Sequence, residues 1–337
     1  MTPQNRTFPP FHPQHPLRTV LIGTLLESES DPVVRAGLAV ARAAGVRVLL
    51  VHAFPDGPKI VGPEIGMAGD FTAELRAWCE ERLREQIGRL GIGESELAGV
   101  EVRAGVPHRI LVEEAGKAAA DLIVVGATGL EPFAAELLGS TADRVLRKAS
   151  CPVLVVRGEL PVPPRRVLAP VDLSPVSGDS FRCGLDLLAQ IGGGADVEVR
   201  AVHALSFTEM LALQRRKDGE VSPEQAERWS GEDLRSFVLE NRAEAPLEVD
   251  TAVLPGEARF EILQELAERP VDLIVMGTHG RGGVDRLMLG SVASAVVRKA
   301  PCSVLLISPD AALASGIAEA VTARMTPAWH REPVPVA

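Results

Sequence analysis

Residues 125–156, VGATGLEPFAAELLGSTADRVLRKASCPVLVV, and residues 276–307, MGTHGRGGVDRLMLGSVASAVVRKAPCSVLLI, are two versions of one segment. Gly126, Gly129 and Gly139 each stand 151 positions ahead of Gly277, Gly280 and Gly290. The repeat extends upstream. RTVLIGTLLES from Arg18 answers RRVLAPVDLS from Arg165, and LLVHAF answers RAVHALSF, which pairs His52 with His203. A chain of 337 residues that repeats at this interval folds as two copies of one domain. The joint is RGELPVPPRR, a proline-rich stretch of the stiff kind.

Within each copy, short apolar runs alternate with longer segments of helical period. In the second copy strands are predicted near 166–171, 195–204, 247–254, 271–276 and 303–308, and helices near 175–191, 223–242, 257–268 and 290–300. The first copy follows the same plan, with helices near 31–44, 71–90, 107–119 and 139–149. Ser174-Pro175 suits a helix start, with the hydroxyl as cap and proline in the first turn. DLIVV (121–125) and DLIVM (272–276) are continuously apolar, as strands covered on both faces must be. Alternating strands and helices imply right-handed crossovers and a parallel sheet, so each copy is an α/β sandwich of five strands.

A net charge of −10 argues against a nucleic-acid coat, which needs a basic stripe to release counterions. No apolar run reaches the ~20 residues of a membrane span. The start, MTPQNRTFPPFHPQHPLR, lacks the apolar core of a signal peptide and reads as a disordered lead. Four cysteines, Cys79, Cys151, Cys183 and Cys302, form no C-x-x-C pair and read as reduced, buried thiols of a cytoplasmic protein.

The loop from Gly277 to Gly290 leaves the carboxyl end of the fourth strand, where open α/β sheets bind ligands. Glycines let backbone N–H groups approach an anion, and Gly290-Ser291 opens a helix whose free N–H groups favour phosphate. Ser291 either caps that helix or donates to a phosphate. Arg281 and Arg286 add positive charge against Asp285. The alternative is that Gly277, Gly280 and Gly290 serve only a tight turn and close helix packing. No Walker loop and no G-x-G-x-x-G after the first strand occur.

A strand, then G-x-x-G, nine residues and G-[ST], in a copy opening with VLAPVDLS, resembles the universal stress proteins. The whole chain resembles their tandem form, over about residues 17–309. The resemblance implies two Rossmann-like domains, each with a parallel sheet of order 3-2-1-4-5. It divides the chain into a lead (1–16), a first domain (17–157), a linker (158–165), a second domain (166–309) and a tail (310–337). The tail begins with a short Ala-rich segment of helical type. The sheet order brings Asp172 to face Gly277 across one crevice.

In that family the motif holds the phosphates and ribose of ATP, and the aspartate after the first strand holds the adenosine end. Carried to this sequence, the implied contacts are Pro170 and Asp172 after strand one, and Ala204 after strand two. The loop adds Met276, Gly277, His279, Gly280 and Arg281, then Gly290, Ser291 and Val292. A magnesium ion would accompany ATP, and no dedicated metal site is expected. The family also pairs through its last strand, so the implied assembly is a homodimer or a pseudo-dimer within the chain.

The first copy departs from the pattern. Leu25 stands in the place of Asp172, and Glu131 and Pro132 replace Gly282 and Gly283. Glu131 and Glu136 make this loop negative, and like charges a few ångströms apart repel by ~1 kcal/mol even in water. Pro132 removes a backbone donor. The first domain is therefore expected to keep the fold, bind nucleotide poorly and pair with the second. His52 and His203 are expected to serve packing or a turn, Asp121 and Asp272 to be structural, and Trp78 and Trp229 to pack in the core. Residues 213–235 read as a solvated helix pair or a cover over the cleft.

The function implied is a nucleotide-dependent regulator that binds adenine nucleotide in its second domain and protein partners elsewhere, without nucleic acid or membrane. The rivals are an ATP-independent scaffold and a slow ATPase, for which no general base beyond Asp172 can be named.

Overall fold

The apolar runs form strands because their side chains find cover on both sides. The strands LIVVG and LIVMG have four consecutive buried residues each. The computed structural model describes residues 16–55, 72–127, 138–192, 196–216, 222–242, 247–280 and 289–312. The first copy runs β1 (Thr19–Gly23), α1 (Asp31–Ala44), β2 (Arg47–Phe54), α2 (Thr72–Arg89), β3 (Leu97–Ala104), α3 (Pro107–Lys117), β4 (Leu122–Gly126), α4 (Ser140–Leu146) and β5 (Val153–Val156). The second runs β6 (Arg166–Pro170), α5 (Pro175–Gln190), β7 (Glu198–Leu205), α6 (Phe207–Arg216), α7 (Pro223–Asn241), β8 (Glu248–Pro255), α8 (Ala258–Glu268), β9 (Leu273–Gly277), α9 (Ser291–Lys299) and β10 (Ser303–Ile307), followed by α10 (Pro309–Ala312).

The strand order is β3-β2-β1-β4-β5-β10-β9-β6-β7-β8. Each half thus has the expected 3-2-1-4-5 order, and the two halves join in a single ten-stranded sheet. The join is antiparallel, with Val304 opposite Val155, Leu305 opposite Leu154 and Leu306 opposite Val153. The chain is a pseudo-dimer in this sense, and both last strands are occupied by each other. A second chain therefore has no last-strand edge to use and would need another surface.

Alternate residues point to opposite faces, so two apolar layers sandwich the sheet. One contains Ile22, Val124 and Leu154 with Val167, Val275 and Leu305; the other contains Leu21, Ile123 and Val153 with Leu168, Ile274 and Val304. Both layers cross the seam. Leu160, in the proline-rich joint, is also part of the first layer, so the linker is packed down instead of acting as a free spacer.

The aspartates before β4 and β9 are structural in the same way. Asp121 Oδ2 accepts the amides of Arg18 and Thr19, and Asp272 Oδ2 accepts those of Arg165 and Arg166. Helix α5 starts as expected, with Ser174 Oγ accepting the Ser177 amide. The helix pair expected at 213–235 is present but begins earlier, at Phe207. Trp78 corrects the core expectation. It is 53% exposed on α2, with the Arg82 guanidinium 5.8 Å from its ring. Trp229 is partly buried against Leu205 and Ala226.

All four cysteines are free. Cys79 and Cys183 are buried, whereas Cys151 and Cys302 are only partly covered. Burial pushes the Cys151 thiol up to about 12 and that of Cys302 up to about 11, so both stay protonated. No helix among the described residues is long and apolar enough to cross a membrane. The expected lead falls outside the described residues up to residue 15, and the tail does so after residue 312.

Candidate functional site

Strand β6 lies between β7 and β9. The chain leaves β6 to one side and returns on the other, which opens a crevice at the carboxyl ends of these strands. A cleft of about 650 Å³ occupies that place. Its walls come from the ends of β6, β7 and β9 and the starts of α6, α8 and α9.

The turn after β6 sets the first wall. The Val171 amide continues the sheet by bonding the Val202 carbonyl at 2.9 Å, and buried His203 donates from Nδ1 to the Val171 carbonyl at 2.9 Å. Leu173 then takes a left-handed φ of 61°, which turns the chain back toward α5. Asp172 is held on the near side of this turn. Its Oδ1 accepts from the Ser174 amide at 3.0 Å and from the Ser174 hydroxyl at 2.6 Å, while its own amide donates to Ser177 Oγ at 3.2 Å.

The first half repeats the frame without the acid. Thr24 bonds the Val51 carbonyl, His52 Nδ1 donates to the Thr24 carbonyl at 2.8 Å, and Leu26 has φ 70°. Leu25 therefore occupies the geometric place of Asp172, and is 40% exposed. The two histidines act as turn ties, in line with expectation. Burial holds the His52 imidazole below its ordinary pKa.

The space beside each of Gly277, Gly280 and Gly290 is bordered by protein atoms. A Cβ on Gly280 would overlap the Asp172 carboxylate. A Cβ on Gly277 would sit 3.0 Å from Ser180 Oγ, and one on Gly290 would sit 3.0 Å from the Thr278 carbonyl. Each missing side chain makes room for protein atoms. Asp172 and Gly277 line the same cleft, with the Asp172 carboxylate lying against Gly280. Gly139 and Gly290 also make the same bond in the two halves, to the carbonyls of Ala127 and Thr278.

Helix α9 supplies the other wall. Gly290 is its N-cap, with no side-chain cap, and the first intrahelical bond runs from the Ser294 amide to the Gly290 carbonyl. Ser291 is the exposed first residue of the helix and not its cap. The amides of Ser291, Val292 and Ala293 have no acceptor within the helix, and the helix dipole adds positive potential at this end. His279 is oriented by a 2.8 Å bond between its Nδ1 and Thr278 Oγ1.

Ten of the expected contacts line this one cleft: Pro170, Asp172, Ala204, Met276, Gly277, His279, Gly280, Gly290, Ser291 and Val292. Arg281 lies outside the described residues, as do Arg286, Gly129, Glu131, Pro132 and Glu136.

The sequence reading missed Ser206, Thr208, Glu209 and Glu257, which also line the cleft. Ser206 and Glu209 form a reciprocal cap at the start of α6, with Ser206 N donating to Glu209 Oε2 at 3.0 Å and Glu209 N to Ser206 Oγ at 3.3 Å. The S-x-x-E spacing was the available signal. Glu209 Oε1 also lies 3.7 Å from His203 Nε2. Asp172, Glu209 and Glu257 make the described part of the cleft acidic. The start of α9, with its amides unpaired within the helix, is the electropositive element of the described cleft. Among the described residues, no three His, Cys, Asp or Glu side chains gather as a metal site.

A sequence model described as the universal stress protein family matches residues 16–157 and again 164–308. The chain is 33% identical over 301 residues to a universal stress protein of Mycobacterium tuberculosis strain H37Rv, covering 85% of this chain and 96% of the relative. It is 26% identical over 310 residues to one from Mycolicibacterium smegmatis, with coverage of 86% and 97%. The fold resembles the crystal structure of a universal stress protein from Archaeoglobus fulgidus, with a TM-score of 0.56 at 21% identity, covering 86% of this chain and 95% of that one. A putative universal stress protein from Pseudomonas aeruginosa also has a TM-score of 0.56, at 19% identity with 91% and 99% coverage. With both halves matched separately and together, the chain belongs to the universal stress protein family, as two family domains in one polypeptide.

Proposed function

We propose that the second domain binds ATP, and that the first domain is a nucleotide-poor copy serving as its structural partner. The supporting observation is convergence. Ten positions on separate pieces of sequence line one cleft of about 650 Å³, a size suited to a nucleotide. In this reading the Asp172 carboxylate accepts from the ribose or adenine, and backbone groups at Ala204 meet the adenine edge. Pro170 and Met276 supply apolar surface. The phosphates lie against Gly277, His279, Gly280 and Arg281 and over the start of α9 at Gly290, Ser291 and Val292. The described cleft is acidic, so ATP enters with its own Mg2+ and with Arg281 as counter-charge. The bound state then alters contacts with protein partners in the cytoplasm, a compartment that suits four free thiols.

A second reading has its own observation. The space left by each of Gly277, Gly280 and Gly290 is bordered by protein atoms, as an ATP-independent scaffold would also require. Calorimetric titration of the full chain with ATP and Mg2+, alongside Asp172→Ala, separates the two. Binding that is lost in the variant supports the nucleotide reading. No binding by the unaltered chain leaves the scaffold.

A further inference from the structure

The end of β5 reaches across the seam to the helix that opens the cleft. The Arg157 amide donates to Ser303 Oγ on β10 at 3.1 Å. Its guanidinium donates from Nη2 to the carbonyls of Val297 at 3.4 Å and Arg298 at 3.3 Å. Those carbonyls belong to the last turn of α9, where backbone acceptors have no partner within the helix. A cation there also complements the negative end of the helix dipole.

A second tie runs alongside. Arg298 Nη2 lies 3.4 Å from Asp143 Oδ1 on α4 of the first domain, and Asp143 is held in turn by Arg147. The repeat-equivalent positions bond differently. The residue 151 positions after Arg157 is Ser308, whose hydroxyl instead accepts the Ala311 amide at 3.1 Å. The residue 151 positions after Asp143 is Ser294, which accepts from Arg298 on its own helix.

We infer that Arg157 is a positioning residue for the phosphate end of the second-domain cleft, acting from the first domain through α9. This rests on the proposal that ATP phosphates lie at the start of α9. The helix spans nine residues, with Gly290 at the cleft and the Arg157 guanidinium at the other end. Fixing its last turn fixes the direction in which the amides of Ser291, Val292 and Ala293 point. The nucleotide-poor domain thereby has a defined task. It holds its neighbour's anion-binding helix in register through Arg157, and Arg298 of that helix reaches back to Asp143.

The test compares two ligands on the full chain. ATP with Mg2+ uses the start of α9, whereas adenosine uses only the Asp172 and Ala204 side. Helix-end interactions of ordinary size predict ATP binding about three- to tenfold weaker in Arg157→Ala. Adenosine binding should stay within about twofold, and Arg157→Lys should recover part of the loss because it restores the charge. Equal weakening of both ligands, or no change for either, would overturn the inference. Should Arg157→Ala not fold, Asp143→Asn removes the parallel tie and is judged by the same ratio. If the unaltered chain binds neither ligand, the nucleotide reading fails and takes this inference with it. If it binds both and the ratio does not move in the variants, only this inference fails.

Discussion

The two domains share a frame and differ in what the frame holds. Both tie the turn after the first strand with a histidine, His52 or His203, and both bend it at a left-handed leucine, Leu26 or Leu173. Both anchor the first and fourth strands with an aspartate, Asp121 or Asp272, and both begin the last helix at a glycine bonded to the preceding loop. Behind that turn they diverge. In the first domain Gln86 of α2 bonds Thr24, Ser30 and Asp31, and Arg89 clasps Asp31 through both oxygens. In the second domain Phe237 stands at the place of Gln86 and packs against Phe181 with ring centroids 6.0 Å apart. A polar network particular to the second domain lies at Asp172, Ser174 and Ser177, beside the cleft. Shared bonds therefore mark what the fold requires, and unshared ones mark where the domains do different work. By that rule the bond shared by Gly139 and Gly290 belongs to the fold, and the bonds of Asp172 are particular to the second domain.

The largest effect should come from erasing the difference. Asp172→Leu makes the second domain copy the first, and removing a charged hydrogen-bond partner should weaken ATP binding by about a hundredfold. Titration calorimetry checks this, and circular dichroism should show the fold intact. Unchanged affinity would show that the acid does not distinguish the domains.

Attacking the first-domain network should affect stability and not the ligand. Gln86→Leu leaves Thr24, Ser30 and Asp31 short of partners, at a cost of about 2 kcal/mol in denaturant unfolding. ATP affinity should be unchanged. The same network predicts a pH dependence. The Arg89 guanidinium, ahead of Gln86, holds the Asp31 carboxyl below its ordinary 3.8 despite the opposing effect of burial. A carboxylate whose pKa is lowered by folding stabilises fully above the unfolded value, and that stabilisation fades as pH falls toward the folded one. Acid unfolding below about pH 4 should therefore be less steep in Asp31→Asn than in the unaltered chain.

A smaller change targets the phosphate end. Ser291→Glu places a carboxylate at the first position of α9, where it suits the helix but repels phosphate. ATP affinity should drop by about tenfold while adenosine binding holds. An equal fall for both would place the phosphates elsewhere. The smallest effect is expected from Leu25→Asp. The acid alone should not create a second site, because Glu131 and Pro132 remain in the first-domain loop. Two ATP molecules bound per chain of that variant would show the electrostatic argument to be wrong.

Much of the architecture was legible in the sequence because repeat spacing and apolar runs report it directly. DLIVV and DLIVM could only be buried strands, and the repeat carried the order of one domain over to the other. The join between β5 and β10 was not legible from periodicity, since an antiparallel pairing of two VLVV-like strands leaves no local mark. The start of α6 was passed over because SFTEM continues an apolar strand before its capping pair takes hold. Trp78 reads as core because it lies in the helix that corresponds to Trp229's, yet the helix face it occupies is turned to solvent beside Arg82. The positions lining the cleft came from motif matching. What the motif did not disclose is that Gly280 makes room for Asp172, since a motif records where a side chain is missing and not which atom fills the gap.

The most direct test of one competent domain beside one incompetent one is the ATP stoichiometry of the intact chain in the presence of Mg2+. The expected result is one ATP per chain, bound about a hundredfold more weakly in Asp172→Leu. Two per chain, or one bound as tightly in Asp172→Leu as in the unaltered chain, would contradict the division of labour between the domains.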